Sequence, residues 1–389
     1  MSPTEVLPAT STPATKPTSA VPVPFVDLQR IHAPLKAAIL GDIATLVESG
    51  AFANGPAVAE FEEAFAAFCG TPYAVGVGSG LDALRLGLLA AGTGPGDEVI
   101  VPANTFTATI EAIVQAEADP ILVDVTDGDY NLDVAAVEAA LTPRTRALLP
   151  VHLYGQLADM RALGALAERH GLVVLEDACQ AHGASREGVV PGAGTAGAAF
   201  SFYPGKNLGA MGDGGALATG DAELAARMRA LREHGQTAKY RHDLVGYTSR
   251  LDTMQALVLL RKLPRLAAWN AERRKAAATY TSRLAGVGDL VLPPVAWGSR
   301  PVWHLYVVQT GDPAGLGAFL GEQGIGTGRH YPEPPHLSRA YEHLDLRAGA
   351  FPVTERLAAH GLSLPLFPGI TEAELDRVVE RVQAYFDRG

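Results

Sequence analysis

The stretch Leu172-Val-Val-Leu-Glu176-Asp177-Ala-Cys-Gln180-Ala-His182-Gly183 carries the clearest information about the fold. Its first four residues are apolar without alternation, which is typical of a strand that helices cover on both faces. The run ends directly in two acids, Glu176 and Asp177. Because the carboxyl ends of parallel strands face the ligand crevice of an open sheet, we expect a carboxylate at this place to lie in a functional site.

Other short apolar or β-branched runs extend this pattern along the chain. We predict strands at residues 73–77, 99–101, 121–125, 148–153, 172–175 and 198–202. Stretches with helical periodicity lie between most of them, at residues 108–116, 132–141, 160–170 and 222–234. Strands and helices in alternation indicate βαβ units, so the predicted fold class is α/β with a mostly parallel sheet flanked by helices.

The chain divides unevenly. Residues 1–22 are rich in Pro, Thr, Ser and Ala, and we expect a disordered tail because nothing there can build a core. Residues 23–252 hold the alternating elements and are predicted as a large α/β domain. From residue 253 a long helical pattern is broken only by Pro264, and a strand and two helices follow at residues 303–309, 313–323 and 372–386. Residues 253–389 are therefore predicted as a smaller α+β domain.

Composition and charge restrict the classes of function. The chain carries 31 Lys and Arg against 42 Asp and Glu, a formal net charge of -11, which argues against broad binding to nucleic acids or anionic membranes. Cys69 and Cys179 are far apart, so neither a disulfide framework nor a metal site is expected. The longest uncharged stretch, residues 188–205, contains Gly and Pro and cannot form a membrane helix, and no secretory signal is visible. The expected location is the cytoplasm.

A glycine-rich turn, Gly76-Val-Gly78-Ser79-Gly80-Leu81, runs from a predicted strand into a helical pattern. Such a turn exposes backbone N–H groups at the positive end of a helix and can bind an anion. Leu81 stands where a dinucleotide-binding G-x-G-x-x-G motif has its third glycine, so we discount that motif. Taken alone, the segment is equally compatible with an ordinary tight turn.

A lysine in a second glycine-rich stretch completes the pattern. In Ser201-Phe-Tyr203-Pro-Gly-Lys206-Asn-Leu-Gly, small and apolar residues surround Lys206 just past a predicted strand. A lysine in such surroundings can have a lowered pKa and attack a carbonyl, although an isolated lysine is usually a solvated surface group. An anion site, a strand-end acid and this lysine are together what pyridoxal 5′-phosphate requires. For Asp177, pairing with a structural arginine remains the alternative to pairing with a protonated ring nitrogen.

Longer motifs follow one another from Phe25 to the C-terminal helix. They are VPANTF (101–106), PVHLYGQ (150–156), EDACQAHGA (176–184), SFYPGKNLGAMGDGG (201–215), SRLDTMQA (249–256) and LSLPLFPGIT (362–371). In this order they resemble the DegT/DnrJ/EryC1/StrS sugar aminotransferases, fold type I enzymes that use pyridoxal phosphate. Within that family GSGLDAL, PVHLYGQ, SFYPGKN and RHYPEPPH look most like enzymes that aminate C3 of a dTDP-linked 3-keto-6-deoxyhexose. The resemblance implies that reaction, with glutamate as amino donor.

The resemblance also implies roles for individual residues. Lys206 would form the Schiff base with the cofactor and carry protons between substrate and cofactor carbons, and Asp177 would pair with the pyridinium nitrogen. The other implied cofactor contacts are Gln180 with the ring oxygen, Phe106 with the ring face, and Ser79, Gly80, Leu81, Ser201 and Thr248 with the phosphate. The implied substrate-binding residues are Tyr203, Lys239, Arg250, His330 and Tyr331. Fold type I sites lie between subunits, so a homodimer is implied in which Thr248 or Arg250 enters the neighbour's pocket.

Three positions have alternative interpretations or depart from the family pattern. Thr248 stands where the family commonly has an asparagine that reaches the partner subunit's phosphate, and a threonine is shorter. Cys179 stands where alanine is frequent, and we expect it to pack as a small apolar group. Phe106 could be an ordinary core residue instead of a ring-stacking one.

Other activities stay open. Relatives that dehydrate a 3-deoxysugar precursor carry histidine at the position of Lys206, which argues against that chemistry here. Other relatives aromatise an amino ring acid, and that chemistry is a further alternative. Amination of a 4-keto sugar nucleotide or of a keto-cyclitol would use the same catalytic residues. A non-enzymatic, cofactor-binding regulator would need a DNA-binding appendage, whereas the extra segment is a neutral tail with one lysine.

Overall fold

The computed structural model describes residues 22–388, so the disordered tail predicted at residues 1–22 lies outside the described residues except for Pro22. The strands among these residues are β1 (Tyr73–Val77), β2 (Glu98–Pro102), β3 (Asp119–Val123), β4 (Thr145–Leu148), β5 (Val173–Asp177), β6 (Ser185–Arg186), β7 (Gly197–Ser201), β8 (Gly215–Thr219), β9 (Gln236–Ala238), β10 (Arg241–His242), β11 (Ser299–Arg300), β12 (Tyr306–Gln309) and β13 (Gly361–Leu364). The α-helices are α1 (Leu28–His32), α2 (Lys36–Ser49), α3 (Pro56–Cys69), α4 (Gly80–Ala90), α5 (Thr107–Gln115), α6 (Val134–Ala139), α7 (Met160–His170), α8 (Ala222–Arg232), α9 (Thr253–Lys262), α10 (Leu266–Leu284), α11 (Pro313–Glu322), α12 (Pro352–His360) and α13 (Glu372–Phe386). None of these helices is long and apolar enough to cross a membrane.

A seven-stranded sheet lies at the centre of the described part of the chain, in the order β1-β8-β7-β5-β4-β2-β3. The strands from β7 to β3 pair in parallel, and β8 runs antiparallel to both of its neighbours. Helices α3, α7 and α9 cover one face of the sheet, and α4, α5 and α8 cover the other. The predicted fold class, a mostly parallel sheet flanked by helices, is confirmed.

Burial on both faces explains why the strands are apolar throughout. Successive residues of a strand point to opposite faces of the sheet. Ala198 and Phe200 of β7 therefore join the core formed with α3 and α7, whereas Ala199 joins the core formed with α4 and α5. All three are at most 1% exposed. A polar side chain would be desolvated on either face, so the alternation of a half-exposed strand is absent.

The sequence does not predict β8. Its residues, Gly-Ala-Leu-Ala-Thr, include only one of the β-branched and aromatic residues that indicate strands. A small residue is required at its start, because a Cβ on Gly215 would lie 2.2 Å from the carbonyl oxygen of Ser79. The strand thus packs directly against the turn that follows β1 and holds that turn in place.

The strand predicted at residues 148–153 is the other difference in this sheet. Strand β4 ends at Leu148, and Pro150 follows, which has no N–H group to donate to a ladder. The chain nevertheless stays extended beside β5, because Val151 forms a parallel bridge with Asp177.

The C-terminal part has a smaller core of its own. Strands β12 and β13 pair antiparallel and pack with α10, α11 and α13. Pro264 lies in a short 3-10 helix (Leu263–Arg265) that separates α9 from α10. Two segments cross the domain boundary predicted at residue 252: Val23 joins the smaller core and bridges to Ile325, while α9 packs against α2 and α3. The division of the chain into domains stays a prediction.

Candidate active site

Most of the predicted site residues meet at one cavity, at the carboxyl ends of the parallel strands. The cavity has a volume of about 650 Å³. The predicted residues that line it are Ser79, Gly80, Leu81, Phe106, Asp177, Gln180, Ser201, Tyr203, Lys206, His330 and Tyr331. Lys239, Thr248 and Arg250 do not line it. The residues that the structure brings together therefore come from both the large and the small part of the chain.

The start of α4 presents hydrogen-bond donors to the cavity. Ser79 caps the helix, and its hydroxyl oxygen accepts from the N–H of Asp82 at 3.1 Å. The N–H groups of Gly80 and Leu81 donate to no atom of residues 22–388. Ser201 packs against the same turn, because a Cβ on Gly80 would be only 2.6 Å from the Ser201 Cβ, and Ser201 also lines the cavity. Unused N–H groups at the positive end of a helix, next to a hydroxyl, can bind a phosphate dianion.

The two acids at the end of β5 have different surroundings. Asp177 lines the cavity, and its carboxylate accepts from the Thr109 hydroxyl at 2.8 Å and from the Cys179 N–H at 3.1 Å. No arginine among the described residues forms an ion pair with Asp177, so the alternative of a structural arginine finds no support there. Glu176 instead accepts from the Nε2–H of His152 at 2.7 Å, because the Nδ1 of that histidine accepts from the Ala158 N–H. Asp177 is thus the acid available to a ligand.

Lys206 follows β7 in a tight turn in which its N–H donates to the Tyr203 carbonyl oxygen at 2.8 Å. Burial lowers the pKa of Lys206, and the negative charge of the Asp177 carboxylate opposes this shift. The pKa of Cys179 itself is raised well above its ordinary value by burial, so this side chain stays a thiol. A lysine whose pKa is lowered by burial loses its proton more readily and can then act as a nucleophile toward an aldehyde or ketone.

Gln180 has a fixed orientation. Its Oε1 accepts from the Tyr154 N–H at 2.7 Å, so its Nε2 is a donor, and this nitrogen lies 3.1 Å from the Tyr331 hydroxyl. Tyr154 has a positive φ of 58°, and its hydroxyl donates to the His330 carbonyl oxygen at 2.5 Å. Tyr154 belongs to the PVHLYGQ motif, and the sequence does not predict a role for it. It holds both Gln180 and the segment that carries His330 and Tyr331.

Aromatic side chains and a histidine form much of the remaining wall. Phe106 is 47% exposed, and its ring centre lies 5.2 Å from that of Tyr331, so it is not an ordinary core residue. Burial, followed by the positive charge of Lys206, lowers the pKa of His330 to about 4. In the site without a ligand His330 is therefore neutral at pH 7. Tyr203 is 59% exposed.

His304 also lines the cavity, although the sequence does not predict it as a site residue. The Nδ2 of Asn207 donates to the Asn270 Oδ1 and to the Val302 carbonyl oxygen, which identifies its Oδ1 as the acceptor. The Nδ1 of His304, 3.2 Å from that oxygen, must then carry the proton. Burial lowers the pKa of His304 well below its ordinary value, so the ring is neutral and its Nε2 is an acceptor. Its closeness to Asn207 depends on the fold, and no local motif indicates it.

The segment that carries the three remaining predicted residues lies outside this cavity. The Thr248 hydroxyl is 3.1 Å from the Nε2 of His234, and the Nη1 of Arg250 donates to Glu233 at 2.8 Å. Lys239 lies 5.4 Å from the ring centre of Tyr240, which is 82% exposed. Their roles stay predictions. Among residues 22–388, no group of three or more His, Cys, Asp or Glu residues is placed to hold a metal ion.

The chain is similar to known proteins over most of its length. The profile of the DegT/DnrJ/EryC1/StrS aminotransferase family matches residues 34–383. A dTDP-3-amino-3,4,6-trideoxy-alpha-D-glucose transaminase of Streptomyces venezuelae is 49% identical over 366 residues, 94% of this chain and 97% of that protein. A UDP-N-acetyl-3-dehydro-alpha-D-glucosamine 3-aminotransferase of Acidithiobacillus ferrooxidans is 44% identical over 358 residues, 92% of this chain and 96% of that protein. The crystal structure of S. venezuelae DesV in complex with a ketimine intermediate has a TM-score of 0.93 and 48% identity, and covers 95% of this chain and 100% of that one.

Proposed function

Because this chain belongs to the DegT/DnrJ/EryC1/StrS aminotransferase family and is a sugar aminotransferase with pyridoxal 5′-phosphate as cofactor, we propose that it aminates the 3-keto carbon of a dTDP-linked 6-deoxyhexulose. The proposed amino donor is glutamate, and the product is a nucleotide-linked 3-amino-3,6-dideoxyhexose. The observation that carries the proposal is the cavity itself, in which Lys206, Asp177 and the start of α4 meet.

The residues present fit the cofactor. When bound, pyridoxal phosphate supplies an aldehyde that exchanges amines and a ring that accepts electrons from a bond broken at the neighbouring carbon. The N–H groups of Gly80 and Leu81, with the Ser201 hydroxyl, would hold its phosphate. Asp177 would accept from its ring nitrogen, and the Nε2 of Gln180 would donate to its ring oxygen. These donors and acceptors are complementary to the cofactor at each of the three places.

The protein groups around Asp177 and Lys206 suit these two side chains to their roles. Thr109 and the Cys179 N–H hold the Asp177 carboxylate as an acceptor, and a carboxylate keeps a ring nitrogen protonated. Burial favours the neutral amine of Lys206, which can take a proton from one carbon and return it to another. His304 and His330 are neutral at pH 7, so neither ring adds a positive charge beside Asp177 or Lys206.

The choice of C3 and of a nucleotide-linked sugar rests on the relatives. The names of both relatives place the amino group at C3 of a sugar nucleotide, although one carries dTDP and the other UDP. Tyr203 and Tyr331 present hydroxyls at the cavity, and the neutral His330 adds a hydrogen-bonding group. Such groups can bind a diphosphate, and a cation from outside this cavity would complete the site.

A homodimer would supply that cation. Lys239, Thr248 and Arg250 lie on a segment outside the chain's own cavity, and the apolar side chains of Tyr240 and Val245 beside them are 82% and 91% exposed. Large exposed apolar side chains next to a functional segment are typical of an interface. We propose that this segment enters the site of a second copy, where Lys239 meets the substrate's diphosphate.

A product assay tests the proposal. The purified protein is incubated with L-glutamate and a panel of 3-keto and 4-keto sugars carrying dTDP, UDP or GDP, together with a free keto-cyclitol. Mass spectrometry and NMR should identify a dTDP-linked 3-amino-3,6-dideoxyhexose as the preferred product. Faster amination of a 4-keto sugar, of another nucleotide or of the cyclitol would overturn the substrate assignment and leave the aminotransferase chemistry intact.

A further inference from the structure

A buried arginine forms part of the cavity wall. Arg273, on α10, is 2% exposed and lines the cavity. Its Nη1 donates to the carbonyl oxygens of Trp303, His304 and Leu366, at 3.2, 3.3 and 2.8 Å. Its Nε is buried without an acceptor, and its Nη2 donates to no atom of the described residues. A single nitrogen thus makes all the hydrogen bonds, and two others are left unused.

The charge of this guanidinium is also uncompensated. Burial lowers the pKa of Arg273 to about 10, so the group is still protonated at pH 7. Burial is the cause of this shift, and no carboxylate within residues 22–388 forms an ion pair with Arg273. Buried charges without a partner and buried donors without an acceptor both destabilise a folded protein. An anion that enters the cavity, such as a carboxylate, would compensate this charge and accept from Nη2, the unused donor that is not completely buried.

The position of Arg273 favours a small anion over a nucleotide diphosphate. Besides burial, the positive charges of Lys206 and Arg273 both lower the pKa of His304, so this histidine lies within electrostatic range of both cations. Leu364 and Leu366 line the cavity as well and make part of its wall apolar. A bulky, strongly hydrated diphosphate suits the exposed Tyr203 better than a residue that is 2% exposed. Because Arg273 and Lys206 line the same cavity and both act on His304, a small amino acid with its carboxylate at Arg273 would have its amino group on the side of Lys206.

We infer that Arg273 binds a carboxylate of the amino-acid donor. The inference rests on the proposed function, in which an amino acid supplies the nitrogen, and it names the residue that recognises this donor. Arg273 contributes in the donor half of the reaction, when the sugar nucleotide is absent. In the acceptor half its charge meets no carboxylate, and the sugar contacts other residues of the cavity.

Two variants of the cofactor-loaded protein test this role. Arg273→Gln keeps a donor for the backbone carbonyl oxygens and loses the charge, whereas Arg273→Lys keeps the charge and loses the planar fork. The change in cofactor absorbance on mixing with L-glutamate, without any sugar, gives an apparent Kd for the donor. Loss of one charge-assisted contact should raise this Kd roughly 10- to 150-fold in the Gln variant and less in the Lys variant. The KM for the sugar nucleotide should stay at the wild-type value.

A matched control separates this effect from general loss of a buried charge. Arg186→Gln removes another guanidinium with little exposure, which contacts Asp129 and Asp159 and does not line the cavity. Its Kd for glutamate should equal that of the wild type. Thermal unfolding of each variant shows whether it is folded. An unchanged glutamate Kd in a folded Gln variant, or a larger effect on the sugar nucleotide than on glutamate, would overturn the inference.

Succinate gives a readout that needs neither turnover nor a folded Gln variant. Calorimetry should show this unreactive dicarboxylate binding to the wild type, and it should compete with L-glutamate in the half-reaction. Binding should be weaker in the Lys variant and unchanged in Arg186→Gln. Absence of succinate binding to the wild type would contradict a carboxylate site. If the wild type aminates no sugar nucleotide, the substrate proposal fails, while the glutamate and succinate measurements still decide the role of Arg273.

Discussion

A methyl group added to Gly80 tests whether contact between α4 and β7 forms the phosphate site. A Cβ at this position would lie 2.6 Å from the Ser201 Cβ, 2.9 Å from the Cys179 Sγ and 3.1 Å from the Ser201 Cα. The Cα of Ser201 is a backbone atom of β7 and the Cβ is bonded to it, so neither atom can rotate away. The backbone of Gly80 does not have a positive φ, so Gly80→Ala introduces crowding without backbone strain.

The expected cost has two parts. Crowding of a packed position typically costs about 1–3 kcal/mol of stability, and relief of the crowding must move the start of α4 away from β7. The N–H groups of Gly80 and Leu81 then move away from the Ser201 hydroxyl. Loss of one hydrogen bond to a charged phosphate should weaken cofactor binding roughly 10- to 150-fold.

The assay is calorimetric titration of the cofactor-free protein with pyridoxamine 5′-phosphate, which binds without a covalent bond, together with thermal unfolding. Gly164→Ala is the matched control: Gly164 lies inside α7, and an added Cβ meets nothing within 4 Å. That variant should bind the cofactor normally and gain about 0.5–1 kcal/mol of stability, because alanine favours a helix. Normal cofactor affinity in a folded Gly80→Ala variant would refute the proposed phosphate site.

Three further predictions concern the lysine, the shared site and the pH dependence of stability. Borohydride should fix the cofactor to Lys206, as peptide mass spectrometry can show, and Lys206→Ala should be inactive; cofactor recovered on another lysine would contradict the assignment. Mixed dimers of Lys206→Ala and Arg250→Glu should regain activity that neither variant has alone, whereas a fully active monomer in sedimentation would exclude a shared site. Hydrogen bonding to Arg30 lowers the pKa of Glu374 from 4.5 to about 2, so this pair stabilises the fold above pH 4.5 and the effect is lost as the pH falls through 2. Glu374→Gln should therefore unfold at a lower temperature than the wild type at pH 7, and the difference should disappear toward pH 2.

The sequence predicts the fold well where local pattern and burial agree. The runs that became β1, β5 and β7 are apolar because helices cover both faces, and this pattern is visible without tertiary information. Strand β8 is not predicted, because its small residues reflect close contact with Ser79, a contact that forms only in the folded protein. The end predicted for β4 is wrong, because the chain after Leu148 stays beside β5 but pairs with it only through a single bridge at Val151. This difference also depends on a contact that forms only in the folded protein.

The site residues also differ in how far the local sequence predicts them. Lys206 and Asp177 are predictable because each follows an apolar strand within a short, recognisable stretch. Thr109, Tyr154 and His304 are not, because their chemistry depends on partners from distant segments, such as the Asn207 amide that fixes the His304 proton. Arg273 is one of several basic residues on a long helical pattern, and the sequence does not show that this one is buried.

The adjacent acids Glu176 and Asp177 show what limits the prediction of a site from the sequence. Alternation along a strand requires that the two side chains point to opposite faces, so only one of them can reach a given ligand. Which one it is depends on the partners that each face supplies. Glu176 accepts hydrogen bonds from His152 and from two groups of the segment after β6, whereas Asp177 keeps acceptor capacity toward the cavity. If β5 were shifted by one residue, Glu176 would no longer face His152 and Asp177 would no longer face the cavity. The register of β5 is therefore as important to the chemistry as the aspartate itself.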